Sequence, residues 1–171
     1  ALDQIRSALA SAYPITALVS PEEERLERLL KMFADGAKPD PLPVKVWNCV
    51  DGFLDGDGPS MTDPLDALAW VGADAPRGLY LFKDLGALLS ERRLQRRLRD
   101  TAMKVRGTGR FLFLLKQSSD LPAPLRPMTY VVVSLFPEES EIQSVVQPLV
   151  ARLNPEPGVV ERLVSSLRGM S

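Results

Sequence analysis

Short, continuous apolar runs alternate with longer amphipathic stretches, and that alternation restricts the fold more than any other feature of the chain. The runs fall at residues 15–19, 44–50, 79–82, 111–115 and 130–133. Each is brief and β-branched or aromatic in character, so each reads as a strand. Apolar residues at helical spacing predict helices over 2–12, 21–36, 88–106, 138–153 and 159–167, and another starting at Thr62. Strands apolar on both faces and separated by helices form a mostly parallel sheet covered on both sides. The expected fold class is therefore α/β, a three-layer sandwich around a five-stranded sheet. A chain of 171 residues can bury such a core without disulfides or metals.

The sequence contains no histidine, which removes Ser-His-Asp and Cys-His catalysis and the usual zinc sites. No catalytic residue, metal site or cofactor is expected. Net charge is −1, so the total charge favours neither nucleic acid nor a membrane surface. The single cysteine, Cys49, cannot form an internal disulfide and fits a reducing, cytoplasmic compartment. No apolar run approaches the ~20 residues needed to cross a bilayer, and no signal-peptide pattern opens the chain. A start at Ala1 and an end at Ser171 read as a fragment of a longer protein.

Several local constellations carry alternative readings. Ser20-Pro21-Glu22-Glu23 reads as a helix start, with Ser20 as N-cap, Pro21 in the first turn and Glu23 completing a capping box. Arg92, Arg93, Arg96, Arg97, Arg99, Lys104 and Arg106 make one helix strongly basic, while Leu94, Leu98, Ala102 and Val105 form its apolar stripe. That outward face is either a solvated or interfacial surface, or a patch for phosphate or nucleic acid. Asp51, Asp55 and Asp57 hint at a calcium loop, but Pro59 and Ser60 stand where an acidic ligand and a glycine are required, so a flexible turn is expected. Cys49 reads as an inert core thiol, and Trp47 and Trp70 as core aromatics. A phospho-receiver reading needs an acidic pair ending the first strand and a lysine ending the fifth; Val19-Ser20 and Phe136-Pro137 stand there instead.

Residues 111–127, FLFLLKQSSDLPAPLRP, resemble the sensor-one region of AAA+ ATPases, and 131–139, VVVSLFPEE, resemble their fifth strand and following helix start. The run LYLFKD at 79–84 occupies the Walker B slot, and 159–171 resembles the beginning of an AAA+ lid. More narrowly, Tyr13-Pro14-Ile15, SPEEERLERLL, VKVWNCVDGF, DPLDALAWV, YLFKDL and RRLRDTAMKVR resemble the N-terminal half of a cyanobacterial and chloroplast type of AAA protein, in which a degenerate ATPase-like domain precedes a normal one. The resemblance implies a P-loop-NTPase-like sheet in the order 5-1-4-3-2, an AAA+-like core over 1–153 and a truncated helical lid over 154–171.

It also locates departures. The phosphate-binding slot holds Ser20, Pro21, Glu22, Glu23, Glu24 and Arg25, with no glycine and no lysine, and Pro21 supplies no backbone donor. Like charges ~4 Å apart repel by ~1 kcal/mol even in bulk water, which a helix dipole does not offset. The Walker B slot carries Lys83 where a magnesium-binding carboxylate belongs, with Asp84 behind it. By this resemblance the segment is a pseudo-ATPase domain of a larger AAA+ ATPase, serving assembly, regulation or partner recruitment. Its partners would be its own ATPase module, neighbouring subunits of a ring, or another protein. The face at Glu22, Glu23, Glu24 and Glu27 would meet a neighbour's Arg126, the arginine-finger position, or its basic helix at Arg92, Arg96 and Arg99. The alternative is a small nucleic-acid- or phosphate-binding domain using helix 92–106.

Overall fold

The computed structural model describes residues 2–36, 41–54 and 60–134, together with the single positions Ile142, Gln143, Val146, Arg162 and Ser166. The chain divides into two compact units, Ala1–Val133 and Ser134–Ser171. In the second, the described positions after Ser134 are helical, and Ser166 Oγ donates to the Arg162 carbonyl. The expected helices at 138–153 and 159–167 lie largely outside the described residues, as do the 153/154 boundary and Asp55 and Asp57 of the acidic loop.

In the first unit the elements run α1 (Leu2–Ala10), β1 (Ile15–Val19), α2 (Glu23–Asp35), β2 (Val44–Asn48), β3 (Gly52–Phe53), α3 (Pro64–Ala73), β4 (Gly78–Phe82), α4 (Arg92–Val105), β5 (Arg110–Lys116) and β6 (Thr129–Val133). The sheet order is β3-β2-β4-β5-β1-β6. The five expected strands are β1, β2, β4, β5 and β6, and they stand in the expected 5-1-4-3-2 order, all parallel. The addition is β3, which runs antiparallel to β2 with Trp47 opposite Phe53 and makes the sheet mixed and six-stranded. Two residues containing a glycine carry no strand periodicity, so nothing in the sequence pattern announces it.

The central strands β1 and β4 are buried on both faces because both faces are covered, whereas edge strand β6 leaves Val131 and Val133 exposed. Trp47, Tyr80, Phe82, Leu112 and Leu114 share one core with residues of α3 and α4. Leu18, Val46, Leu79, Leu81, Phe113 and Leu115 share the other with α1 and α2. Trp47 is fully buried and its indole N–H donates to the Met61 carbonyl at 2.7 Å, which satisfies the ring's one polar group. Trp70 packs against the same core beside Phe53 and Tyr80.

Three local expectations change. First, β2 stops at Asn48, whose side-chain oxygen accepts from the backbone N–H of Val50 and of Asp51 at 2.8 and 2.7 Å. This Asx-type turn ends the strand early and places Cys49 at the surface instead of in the core. Second, α2 begins at Glu23 with Glu22 as N-cap. Ser20 is not the cap and the capping box does not form, because Ser20 Oγ accepts from the Glu22 N–H at 3.1 Å in a tighter turn. Third, residues 85–90 form tight turns, with N–H to carbonyl bonds from Ala87 to Asp84 and from Leu88 to Leu85, so α4 starts at Arg92. Among the described residues no helix is long and apolar enough to cross a membrane.

Gly52 has φ 77°, and a Cβ there would stand 2.8 Å from the Met61 carbonyl oxygen. Gly107 has φ 71° with nothing within 4 Å of such an atom. Gly107→Ala should therefore cost about 1–2 kcal/mol, the left-handed conformation alone, whereas Gly52→Ala should cost measurably more because backbone must also move. Urea denaturation of the two variants checks this; equal losses would contradict the close approach at Gly52.

Candidate functional site at the carboxyl edge of the sheet

In an open parallel α/β sheet, ligands sit in the crevice outside the carboxyl ends of the strands. Because β1, β4 and β5 run parallel, the residues that follow them gather at one edge: Ser20 after β1, Lys83 and Asp84 after β4, and Lys116 at the end of β5. The two slots read separately from the sequence therefore share one edge, and α2 begins over it.

Ser20 is completely buried, and its N–H donates to the Lys116 carbonyl at 3.0 Å, extending the β1–β5 pairing. Its hydroxyl accepts from the Glu22 N–H and, at 3.4 Å, from Arg25 Nη2. Arg25 Nε lies 2.5 Å from the Glu22 carboxylate, and the Arg25 side chain is only 13% exposed. The guanidinium is thus laid back over the strand-to-helix turn. Pro21 has no N–H, the Ser20 and Glu22 donors are used internally, and Glu22, Glu23 and Glu24 are exposed.

At the end of β4, the Lys83 N–H donates to the Trp47 carbonyl at 3.0 Å, and Lys83 Nζ lies 2.6 Å from Glu27 Oε2. Glu27 Oε1 accepts from Lys31 Nζ at 2.8 Å. The Lys83 and Glu27 side chains are each 18% exposed. Burial pushes the Glu27 carboxyl pKa up, but hydrogen bonds from Lys31 and Lys83 and their charges outweigh it, so the group sits below the usual carboxylate range. Asp84 Oδ2 accepts from the Cys49 N–H at 3.0 Å, tying the β2–β3 turn to the end of β4. The Cys49 thiol is pushed up by its hydrogen bond to Asp84, with desolvation and the Asp84 charge adding to it against a backbone hydrogen bond, and the net rise favours the thiol over the thiolate.

Lys116 is pushed below the ordinary lysine range by burial, with the Asp120 charge opposing. Its Nζ reaches the Gly86 carbonyl at 3.4 Å. Gly86 must lack a side chain, since a Cβ would stand 2.7 Å from the Leu115 carbonyl oxygen.

The remaining expected site residues are dispersed. Arg92, Arg96 and Arg99 are exposed on α4, as the apolar stripe requires, and Leu94, Leu98, Ala102 and Val105 are buried beneath them with Thr101. Arg126 is exposed in a 3-10 turn, and its Nε donates to the Leu121 carbonyl at 2.9 Å. It lies three residues before Thr129, which pairs with Ile15 at the amino end of β1. The chain therefore carries Arg126 toward the edge opposite Ser20 and Lys83. Sequence reasoning missed Lys116 as a member of the cluster; it placed Arg25 in the slot after β1 without its fold-back onto Ser20 and Glu22, and it placed Glu27 on an open acidic face. The i,i+4 spacing of Glu27 and Lys31 was a usable signal; the link to Lys83 is tertiary and had none.

Five parallel strands in this order, with antiparallel β3 at one edge and helices on both faces, form a P-loop-NTPase-like α/β domain. The chain belongs to the SpoVK-like AAA ATPase, N-terminal domain family, which it matches over residues 1–134. It is 27% identical over 176 residues to "Uncharacterized AAA domain-containing protein ycf46" of Pyropia yezoensis, covering 98% of this chain and 35% of the relative. A protein of the same name in Guillardia theta is 27% identical over 178 residues, covering 95% and 33%. The chain thus spans about a third of the length of these relatives. Among solved structures it is similar to a DNA replication initiation factor (TM-score 0.57, 14% identity, 97% of this chain and 55% of that one). It is also similar to a chain of the E. coli MS115-1 HORMA:CdnC:Trip13 complex (0.55, 14%, 90% and 58%) and to domain III of the Thermotoga maritima replication initiation protein DnaA (0.52, 15%, 95% and 72%). At these identities the likeness is one of fold.

Because the folded-state pKa of Glu27 is depressed, its ion pairs stabilise the fold above the ordinary value of 4.5, and that stability is lost as pH falls through the lowered value. Glu27→Gln should lower stability at neutral pH, by about 1 kcal/mol or less because solvent screens the pairs. The gap between variant and wild type should close as both are acidified. Chemical denaturation across pH checks this; a gap that widened on acidification would contradict the assignment.

Proposed function

We propose that this chain is a non-catalytic, pseudo-ATPase N-terminal domain of a larger AAA-family ATPase, and that it works by contact, in assembly, regulation or partner recruitment. The observation that carries the reading is the Lys83–Glu27 pair. A magnesium ion at the end of this strand needs an available carboxylate. Here the strand ends in an ammonium group, its carboxylate neighbour on α2 is held by two lysines, and Asp84 is engaged with the backbone of Cys49.

The turn before α2 supports the same conclusion. A phosphate cradle depends on free backbone N–H groups and a glycine-rich loop. The Ser20–Glu24 turn has no glycine, loses a donor at Pro21, spends the Ser20 and Glu22 N–H groups internally, and sets, beside the first-turn N–H groups of α2, exposed carboxylates that repel a phosphate. Magnesium-nucleotide does not fit these residues, so no step is assigned to it.

Under this proposal ATP hydrolysis belongs to the ATPase module of the parent protein. Contacts with that module and with neighbouring subunits would use the exposed Glu22, Glu23 and Glu24 on one side and Arg126 on the other, with residues 154–171 as the start of a lid. Opposite charge at such a meeting accelerates encounter more than it tightens the complex. The second reading, phosphate or nucleic-acid binding through α4, is favoured by one observation, the exposure of Arg92, Arg96 and Arg99 on a single helix.

Titration calorimetry of the purified chain with Mg-ATP should give no magnesium-dependent binding in the micromolar range. Tight, magnesium-dependent binding would overturn the pseudo-ATPase reading.

A further inference from the structure

The exposed face of α4 is built against the ordinary rules of helix stability. Arg92 and Arg93 occupy the first turn, where the helix dipole is positive and acidic side chains are favoured; that turn contains no acidic residue, and Glu91 at the N-cap makes no side-chain cap hydrogen bond. Arg92 and Arg96, and Arg93 and Arg97, are like-charge neighbours at i,i+4, and Arg96 and Arg99 at i,i+3, all of which destabilise a helix. The one compensating ion pair on this face among the described residues is Arg96 with Asp100 at 3.1 Å. Local choices that oppose the fold mark surfaces kept for another purpose.

We propose that this ridge is a docking surface for an acidic segment of a partner protein. Arg92, Arg96, Arg99 and Met103 follow one another at spacings of four, three and four, so they form a single stripe along the helix. Met103 is 54% exposed at the end of that stripe. Planar guanidinium groups match carboxylates bidentately, and the methionine supplies an adaptable apolar contact beside them. The partner is therefore a helix or strand carrying a row of carboxylates that ends in an apolar side chain.

Nucleic acid fits this surface less well. The helix carries no aromatic residue on which a base could stack. The whole chain has 22 acidic against 21 basic side chains, so it carries no net positive charge to hold a long polyanion beyond the ridge. A short acidic segment confined to α4 needs none. The proposal is independent of whether the carboxyl edge of the sheet binds nucleotide.

The test uses the full 171-residue chain and a fluorescein-labelled helical peptide with glutamates at i, i+4 and i+7 and leucine at i+11, read by anisotropy. The peptide should bind, and added salt should weaken it. The combined change Arg92→Glu, Arg96→Glu and Arg99→Glu should reduce binding at least about tenfold. A peptide with lysines replacing the glutamates should restore it, and Met103→Gln should weaken it on the unchanged ridge. The triple variant should still fold, since all three side chains are exposed, but it exchanges one set of like-charge neighbours for another and removes the Arg96–Asp100 pair, so it should melt slightly below the wild type. The proposal is overturned if the acidic peptide fails to bind at low salt, if it binds both chains equally, or if short duplex DNA or single-stranded RNA binds more tightly than the peptide.

Discussion

The first unit depends on β1 being hydrogen-bonded on both sides and buried on both faces. Ile15–Val19 pairs with Leu112–Lys116 on one side and with Thr129–Val133 on the other, residue for residue. All five of its side chains are buried. Burying a side chain the size of valine, leucine or isoleucine contributes about 1.5–3 kcal/mol, and a charge in the same place could be accommodated only with a partner that this dry strand cannot offer. Every other element takes its position from this strand. The helices lie above and below it, and the turn that leaves it is the turn that opens α2.

The same constraint explains where charge collects. A mostly apolar sheet interior keeps most charged residues to the strand ends, with Lys45 in β2 the exception, and parallel strands bring their carboxyl ends to one edge. Ser20, Lys83 and Lys116 lie there because β1, β4 and β5 stop together. Once gathered, the charges satisfy one another. Lys83 and Lys31 flank Glu27, Arg25 flanks Glu22, and Asp84 holds the Cys49 amide. Partial exposure keeps each of these pairs modest in energy, so their effect is to occupy the edge more than to stabilise it. The α4 arginines are the counter-example, five guanidinium groups with one ion-pair partner, Asp100, among the described residues.

The order of the strands was legible because both signals behind it are strong. Continuous apolar runs mark doubly covered strands, and the motifs at 111–127 and 131–139 carry the AAA+ resemblance that orders them. Burial of the α4 stripe was legible from its 3.6-residue period. The β3 pairing was not, because a two-residue strand has no period and is recruited by the Asn48 turn and the left-handed Gly52. For the same reason Cys49 was misplaced: strand propensity continues through it, and a side-chain hydrogen bond one residue earlier ends the strand.

Periodicity and composition, acting locally, determined that this chain builds a mostly parallel α/β sheet and lacks histidine chemistry; the AAA-type strand order and the departures in the turn after β1 came from the resemblance its motifs carry. Only the tertiary structure decided that Lys83 pairs with Glu27, that Arg25 folds over Ser20, that Asp84 serves the Cys49 turn, and that Arg126 is carried toward the far edge of the sheet. Those relations join residues from separate strands and helices. A side chain's reach is fixed by where the sheet register places its backbone, and register is a property of paired strands that no single segment of the sequence contains.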